Sequence, residues 1–285
     1  MFDLTLENAA GDQLSFGMGS PFQIDLIEGL NPPAATINTS EIALMDGAKY
    51  NSAKVNMRTL NIAFAIVQDP AKNRLEVFKV LKSKQYVKIS YSSLYRDVYA
   101  EGYIASIDIT YFEMMQVVTC SIICPSPFFK AVQEVVNELR NIVNAFHFPF
   151  SSTATPQIVF SYFSTDLGIT VDNDGDVDCG MIIELYANDT VTNPKIFNYI
   201  TQDFIGLNIT MQAGDLITLD TSAGQKTATL LRAGVESNVF NNVIQGSTWL
   251  QLEANGSTFV YEVGAGSNAS NLSVTFKHTD LYEGV

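Results

Sequence analysis

The sequence is poor in the side chains that most often carry chemistry. Its 285 residues include three cysteines, two histidines and one tryptophan. Cys120, Cys124 and Cys179 form no C-x-x-C pair, so we interpret them as reduced, buried thiols of a protein made in a cytoplasm. A structural zinc site needs more cysteine and histidine ligands than this chain offers. These scarcities argue against both a disulfide scaffold and a zinc-stabilised domain.

Positive charge is also scarce, and it is unevenly distributed. Charged residues make up 16% of the chain, and the formal net charge is −14. Residues 1–150 carry 12 basic and 15 acidic side chains, whereas residues 151–285 carry 4 and 15. Because a negative surface repels a phosphate backbone, we expect no specific binding of nucleic acid. The 47% of apolar residues predicts a well-buried globular protein.

Targeting and membrane signals are missing from the sequence. The N-terminus MFDLTLENAAGD has neither the basic start nor the apolar stretch of a secretory signal. No run of residues approaches the roughly 20 apolar positions that a helix needs to cross a bilayer. We therefore expect no membrane insertion.

Motifs of the common enzyme classes are absent as well. There is no G-x-S-x-G elbow, no H-E-x-x-H, no G-x-G-x-x-G after a strand and no G-x-x-x-x-G-K-S/T loop. His147 and His278 lie in no metal-ligand motif, and we interpret His147, between two phenylalanines, as an ordinary linker or packing residue. We therefore predict that the chain is not an enzyme and has no catalytic, cofactor-binding or metal-binding residues.

One stretch, VDNDGDVDCG (171–180), is unusually acidic. It places aspartates at alternate positions, Asp172, Asp174, Asp176 and Asp178. A calcium loop of the EF-hand type needs a glycine at position 6 and a glutamate at position 12. Counted from Asp172, these positions hold Val177 and Ile183, and counting from Asp174 fails in the same way. Asn173 to Asp176 is favourable turn chemistry, so we interpret the stretch as a structural corner.

Residues 1–130 show an α+β pattern. The period of a half-buried strand is found in 55–69, 85–93, 98–111 and 115–124. In 98–111 this alternation places one set of side chains on one side of the strand: Tyr99, Tyr103, Ala105, Ile107 and Ile109. Residues 69–85 predict a helix with Asp69 as its N-cap and Pro70 at its first position. Its apolar face is predicted to hold Leu75, Phe78 and Leu81.

The second half begins with a predicted connecting helix over 131–146. Its apolar residues recur at helical spacing, namely Val132, Val135, Val136, Leu139, Ile142, Val143 and Phe146. Residues 147–156 are predicted to form a linker. From residue 157 short strands and turns alternate, with strands at 180–188, 204–211, 215–221, 227–232, 247–253, 258–264 and 272–278, which predicts an antiparallel β-sandwich. Trp249 is interpreted as an anchor of its core rather than a platform for a sugar.

Two ordered series of segments resemble the siphophage distal tail protein family. In the first half they are DGAKYNSAKVNMRTLNIAF (46–64), YAEGYIASIDITYF (99–112) and CPSPFF (124–129). In the second half they are NDGDVDCGMIIEL (173–185), NPKIFNY (193–199), MQAGDLITLDTSAGQKTATL (211–230), STWLQLEANGSTFVYEV (247–263) and VTFKHTDLYEGV (274–285). The likeness covers nearly the whole chain. The family's glycine-rich turn after the tryptophan strand is replaced here by EANGS (253–257), which also makes a tight turn.

The resemblance implies a mainly β fold with a ring-forming N-terminal α+β domain (1–130), a connecting helix and linker (131–156) and a galectin-like β-sandwich (157–285). It implies a structural virion protein, made in the host cytoplasm, that forms a homo-hexameric hub ring at the distal end of the tail tube. The implied partners are the major tail tube protein, a tail-associated hub or lysin protein, the tape measure protein and receptor-binding proteins. The alternatives are recognition of cell-wall saccharide by the sandwich, a tail-associated glycosidase or peptidase, and the same part of a phage-tail-like bacteriocin.

Overall fold

The structure is a computed structural model, which describes residues 2–44, 46–111, 115–139, 142–144, 161–163 and 168–285. The chain forms two compact units. One unit is Met1–Val132 together with Leu281–Val285, and the other is Gln133–Asp280. The described residues are mostly antiparallel strands with a single α-helix, which confirms the predicted mainly β fold. Among them, no helix has the length and apolar character needed to cross a bilayer.

The first unit is built around one antiparallel sheet. The strands of this unit are β1 (Asp3–Asn8), β2 (Gln13–Phe16), β3 (Phe22–Glu28), β4 (Ala35–Glu41), β5 (Ala48–Val55), β6 (Arg58–Ile66), β7 (Tyr86–Ser92), β8 (Asp97–Ile109), β9 (Gln116–Cys124) and β10 (Phe129–Ala131). The main path through the sheet is β2-β1-β7-β8-β9-β6-β3, and β10 pairs with β8. The two outer strands, β2 and β3, contact each other, so the sheet curls around its core. The core includes Phe64, Leu60 and Ile104, all of which are buried.

The helix α1 (Pro70–Val80) lies where the sequence predicts it, with Pro70 in its first turn. Asp69 occupies the N-cap position, but its φ is 40° and its side chain makes no capping hydrogen bond. The predicted buried face is confirmed at Leu81 and wrong at Leu75, which is exposed, and Val77 and Val80 are buried in addition. Leu75 and Val77 are two positions apart and therefore about 200° apart around the helix axis. Leu75 thus faces solvent when Val77 faces the core.

A β-bulge in β8 explains a second difference. The register between β8 and β9 shifts between Ile104 and Ser106. Before the bulge the buried positions are Val98, Ala100 and Ile104, and after it the partly buried positions have moved to the odd-numbered Ile107 and Ile109. Because a bulge adds one residue to one strand, a strict two-residue period cannot describe both halves of β8. The predicted single face of Tyr99, Tyr103, Ala105, Ile107 and Ile109 is therefore wrong for its first three members, which lie away from the core.

The second unit contains two packed antiparallel sheets. Its strands are β11 (Val135–Leu139), β12 (Ile142–Asn144), β13 (Ser161–Phe163), β14 (Gly168–Val171), β15 (Met181–Ala187), β16 (Val191–Thr192), β17 (Lys195–Asn198), β18 (Phe204–Gly206), β19 (Thr210–Met211), β20 (Leu216–Asp220), β21 (Thr227–Arg232), β22 (Val235–Asn238), β23 (Ser257–Glu262) and β24 (Leu272–His278). One sheet has the order β11-β24-β15-β20-β21-β22, and the other β14-β23-β17-β18. Phe259 of the second sheet stacks on Phe276 of the first with ring centroids 5.0 Å apart, and both are fully buried. This contact joins the two faces of the predicted sandwich.

The connecting helix predicted over 131–146 is wrong in the described residues. Residues Val135–Leu139 form β11, which pairs antiparallel with β24, and Ile142–Asn144 form β12. The segment is rich in valine and isoleucine, whose branched side chains favour strands. Pairing with β24 also gives the backbone groups on one side of β11 hydrogen-bond partners at the edge of an existing sheet. The linker predicted at 147–156 lies outside the described residues.

The last five residues belong to the first unit, although they were predicted to lie in the second domain. Strand β25 (Leu281–Tyr282) pairs antiparallel with β10. Arg58 donates to the carbonyl oxygen of Glu283 at 2.6 Å, and Arg96 donates to that of Gly284 at 2.6 Å. These hydrogen bonds go to main-chain atoms and so leave no residue signature, while Tyr282 and Val285 add side-chain packing against the core of the first unit.

Candidate assembly surface

The most exposed element of the first unit is the hairpin formed by β4 and β5, which we name the 35–55 hairpin. Its two strands pair with each other and with no other described strand. Every residue of β4 is exposed, and in β5 all residues but Val55 are exposed. The hairpin therefore receives almost no packing from its own unit.

Polar side chains hold one face of the 35–55 hairpin together. Asn38 donates to the Ser52 hydroxyl at 3.0 Å, and Thr36 donates to the Asn56 side chain at 3.0 Å near the base. The opposite face carries Ile37 and Tyr50, which are 62% and 61% exposed. They share this face because Tyr50 lies across from Thr39, two residues beyond Ile37 on the same strand.

Isolated two-stranded hairpins are marginal in water, and large exposed apolar side chains mark surfaces that other proteins cover. Leu44, near the tip of the 35–55 hairpin, is fully exposed. The free edges of β4 and β5 add unpaired backbone groups to this surface. Together these features identify the 35–55 hairpin as the best candidate for a contact with a partner chain.

The aspartate stretch is a structural corner, as predicted. The buried Asn173 organises it, because its side-chain nitrogen donates to the carbonyl of Val177 at 3.2 Å and its side-chain oxygen accepts from the Gly175 amide at 2.9 Å. Asp178 accepts from the amide of Ala254 at 2.9 Å and so ties the corner to the next turn. Asp172, Asp174, Asp176 and Asp178 are all exposed. No group of three or more potential metal ligands occurs in the described residues.

Trp249 does not anchor the sandwich core, contrary to our interpretation of the sequence. Its ring is only partly buried, stacks on the exposed Phe240 at 5.4 Å between centroids, and has the Lys226 amine 5.9 Å from its centre. Residues 247–253 form no extended strand and contribute a single bridge, from Leu252 to Cys179. The core position in this segment belongs to Leu252, which is fully buried.

The three cysteines are free and buried, as predicted. Burial raises the pKa of Cys120 and of Cys179 to about 12, and that of Cys124 to about 11. Because the thiolate is the reactive form, none of the three thiols is activated as a nucleophile.

Sequence reasoning missed a buried polar pair in the second unit. His278, the last residue of β24, and Asp280 are 3% and 6% exposed. His278 Nε2 lies 3.3 Å from Asp280 Oδ1. The buried alternation of β24 at Leu272, Val274 and Phe276 continues to His278, which is a signal that the sequence contained.

Two sequence families match the chain. Residues 10–124 match the phage tail protein RIFT-related domain, and residues 174–280 match the C-terminal domain of the siphovirus-type tail component. No curated protein matches the chain.

Solved structures of two phage proteins are similar to the chain over its full length. The crystal structure of SPP1 Dit, described as a paradigm of the hub adsorption apparatus in phages that infect Gram-positive bacteria, is 14% identical with a TM-score of 0.69. That comparison covers 97% of this chain and 98% of SPP1 Dit. A chain of the phage P2 baseplate in its activated conformation with calcium is 13% identical with a TM-score of 0.53, and both chains are covered completely. At these identities the likeness shows the fold, whereas the two matched sequence families together span most of the sequence: the chain belongs to the siphophage distal tail protein family.

Proposed function

We propose that the chain is the hub of a phage tail tip and forms a hexameric ring at the distal end of the tail tube. The observation that carries the proposal is the 35–55 hairpin, which exposes Ile37, Leu44 and Tyr50 in the unit matched to a phage tail domain. A ring requires a heterologous contact, in which one surface of a subunit binds a different surface of the next. A projecting hairpin supplies the first of these surfaces.

The similar solved structures support the same role. SPP1 Dit is described as part of a hub adsorption apparatus, and the P2 chain belongs to a baseplate. By extension, we propose that the ring binds the major tail tube protein, the tail-associated hub or lysin protein and the tape measure protein, and serves as a platform for receptor-binding proteins. In this role the chain acts by binding and has no enzymatic activity.

The test compares two matched double variants of the full chain by light scattering coupled to size exclusion and by negative-stain imaging. Wild type is expected to form rings of six 31.3 kDa subunits. Burial of one isoleucine or tyrosine side chain is worth about 1.5–3 kcal/mol, so Ile37→Asn with Tyr50→Asn is expected to weaken each contact at least tenfold. The control is Ile200→Asn with Tyr199→Asn, because these side chains in the second unit are 71% and 64% exposed.

The control variant is expected to assemble like wild type. A wild-type chain that stays monomeric at high concentration contradicts the ring. Rings that form equally well with the hairpin variant contradict the role of the 35–55 hairpin.

A second candidate function, recognition of cell-wall saccharide by the second unit, is favoured by one observation. The Phe240 and Trp249 pair offers a partly exposed aromatic surface beside Lys226, which is the type of surface on which sugar rings stack. Glycan-array binding by wild type that disappears in Trp249→Ala supports this candidate. An array with no signal for wild type removes it.

A further inference from the structure

The buried pair of His278 and Asp280 lacks the hydrogen bonds that buried polar groups normally make. The His278 side chain is completely buried, and that of Asp280 is 9% exposed. Both ring nitrogens of His278 and Oδ1 of Asp280 are buried and make no well-aligned hydrogen bond, although each residue has the other and the main chain of Asp172 or Asp174 within reach. A buried polar group that stays unsatisfied destabilises the folded state, so the pair requires an explanation.

The side chains that face His278 across the sheet carry no charge that could neutralise the pair. Across the sheet, His278 faces Val135 of β11 and Met181 of β15, which do not titrate. Within the corner, the main chain of Asp172 faces the imidazole, and the main chain of Asp174 faces the carboxyl group of Asp280.

Two further titratable groups influence the pair without neutralising it. The carboxylate of Asp174 adds negative charge near both partners. The thiol of Cys179 is influenced by Asp280, but burial raises the pKa of this thiol to about 12, and it stays protonated. Asp178 acts on the same thiol from the corner. No cation other than His278 is therefore available to Asp280 among these neighbours.

Burial determines which protonation states the pair tolerates. A lone buried charge is expensive, whereas a pair that holds one proton has zero net charge whether the proton lies on the ring or on the carboxyl group. Burial lowers the pKa of His278 and raises the pKa of Asp280, so each group resists being charged by itself. The 3.3 Å separation places both within reach of one shared proton.

We propose that His278 and Asp280 hold one proton between them as a buried pair of zero net charge, which fastens the corner at 172–178 to the end of β24. In the unfolded chain at mildly acidic pH, the histidine carries one proton and the aspartate carries none. The folded pair also holds one proton, so folding neither takes up a proton from the solvent nor releases one. The pair therefore makes no contribution to the pH dependence of stability between about pH 4 and 6.5.

Single substitutions are expected to expose two opposite pH dependences that cancel in the wild type. In Asp280→Asn, His278 remains with a lowered pKa, so the folded state binds fewer protons and stability is lost as pH falls below about 6.5. In His278→Gln, Asp280 remains with a raised pKa, so stability is lost as pH rises above about 3.8. Each slope reaches up to about tenfold in the unfolding constant per pH unit. The double variant is expected to show the same pH dependence as the wild type.

The measurement is urea unfolding of the full chain at pH 4 to 7, followed by the fluorescence of Trp249. Because this is the only tryptophan in the chain and it lies in the second unit, its signal reports on the unit that contains the pair. The matched controls are His147→Gln, which removes the other histidine, and Asp189→Asn, which removes an exposed aspartate. The unfolding free energy of both controls is expected to change with pH in the same way as that of the wild type. Slopes of the same sign in the two single variants, or slopes equal to that of the wild type, overturn the proposal.

A second measurement needs no substitution at the pair and covers the case in which a single variant fails to fold. The chain with His147→Gln contains one imidazole, whose labelled ring carbon and nitrogens can be followed by NMR during a pH titration. One ring nitrogen is expected to stay in hydrogen-bonded contact with the carboxyl group, with no simple titration at the ordinary pKa of about 6.5. A titration at that value, typical of a free imidazole, overturns the proposal.

Discussion

Replacement of Arg58 by methionine is expected to destabilise the first unit strongly. Arg58 is 3% exposed at the start of β6, and its guanidinium group lies 4.2 Å from the centre of the Phe129 ring. Burial lowers the pKa of its guanidinium group, but the side chain stays charged at neutral pH. The guanidinium donates to four carbonyl oxygens, those of Gly29, Asn31 (2.9 Å), Pro127 (2.7 Å) and Glu283 (2.6 Å).

The size of the effect follows from what methionine keeps and removes. It retains an apolar side chain of similar length, so the packing against Phe129 is largely preserved, but it donates no hydrogen bond. A hydrogen bond from a charged group is worth about 1.5–3 kcal/mol. In the variant, the four carbonyl oxygens that accept from Arg58 regain only part of this energy by binding water. The original burial of the charge offsets another part. We therefore expect a loss of about 3–5 kcal/mol rather than the sum of four bonds.

The assay is urea unfolding with two probes on the same sample. Trp249 reports on the second unit, so a change in far-ultraviolet circular dichroism without a change in its fluorescence belongs to the first unit. Lys72→Met, which removes a positive charge from the exposed surface of α1, is the control and is expected to change stability by less than about 0.5 kcal/mol. Removal of residues 281–285 deletes the Glu283 acceptor, so its effect and that of Arg58→Met are expected to be less than additive. A loss below about 1 kcal/mol for Arg58→Met refutes the reasoning, since it would mean that the four bonds merely offset desolvation.

Three other predictions follow from the second unit and the thiols. Asp215, whose carboxylate accepts three bonds from Arg232, has a pKa lowered by that contact, so Asp215→Asn is expected to cost about 2 kcal/mol at pH 7 by urea unfolding. This stabilisation is present above pH 3.8 and is lost as pH falls through the lowered pKa, so the difference from wild type should disappear in acid. Leu252→Ala is expected to cost about 2–5 kcal/mol and Trp249→Ala less than half as much, measured by thermal unfolding, because only the leucine is fully buried; a larger loss for the tryptophan contradicts the structure. The three buried cysteines are expected to react with a thiol reagent only after unfolding, and fast reaction of any of them in the native chain contradicts their burial.

The local sequence pattern predicted correctly the strands that have one buried face and one less buried face. The strands β6, β7 and β9 alternate buried and less buried side chains through most of their lengths, and all three were predicted within a few residues. The same reasoning failed at 131–146, since Val135 and Leu139, four positions apart, share one face of a strand as well as one face of a helix. The choice between them is made by β24, a partner more than a hundred residues further along the chain. No local window contains that information.

The candidate surface was harder to predict than the fold. In the 35–55 hairpin, the strand sequences ATINTSE and AKYNSAKV have few apolar residues and no strict alternation, because neither face is covered within the chain. His278 was likewise missed, since a lone histidine in a strand gives no motif and its partner Asp280 acquires meaning only through burial. The alternation of β24 signals that His278 is buried, but neither its pairing with Asp280 nor the role of the hairpin is recorded in the sequence pattern.

The sparse apolar content of the 35–55 hairpin is itself consistent with assembly by many equal contacts. A hairpin with a continuous apolar face would associate without control before the tail is built, whereas a few exposed side chains, such as Ile37 and Tyr50, give a weak single contact. In the proposed ring every subunit both offers a hairpin and receives one, so a loss of about 2 kcal/mol per contact is repeated six times and amounts to about 12 kcal/mol per closed ring. A closed ring can therefore be stable although each of its contacts is modest. Hairpin substitutions are therefore expected to abolish closed rings at concentrations where the isolated subunit remains fully folded. Unfolding of the subunit together with the ring would contradict this separation of assembly from folding.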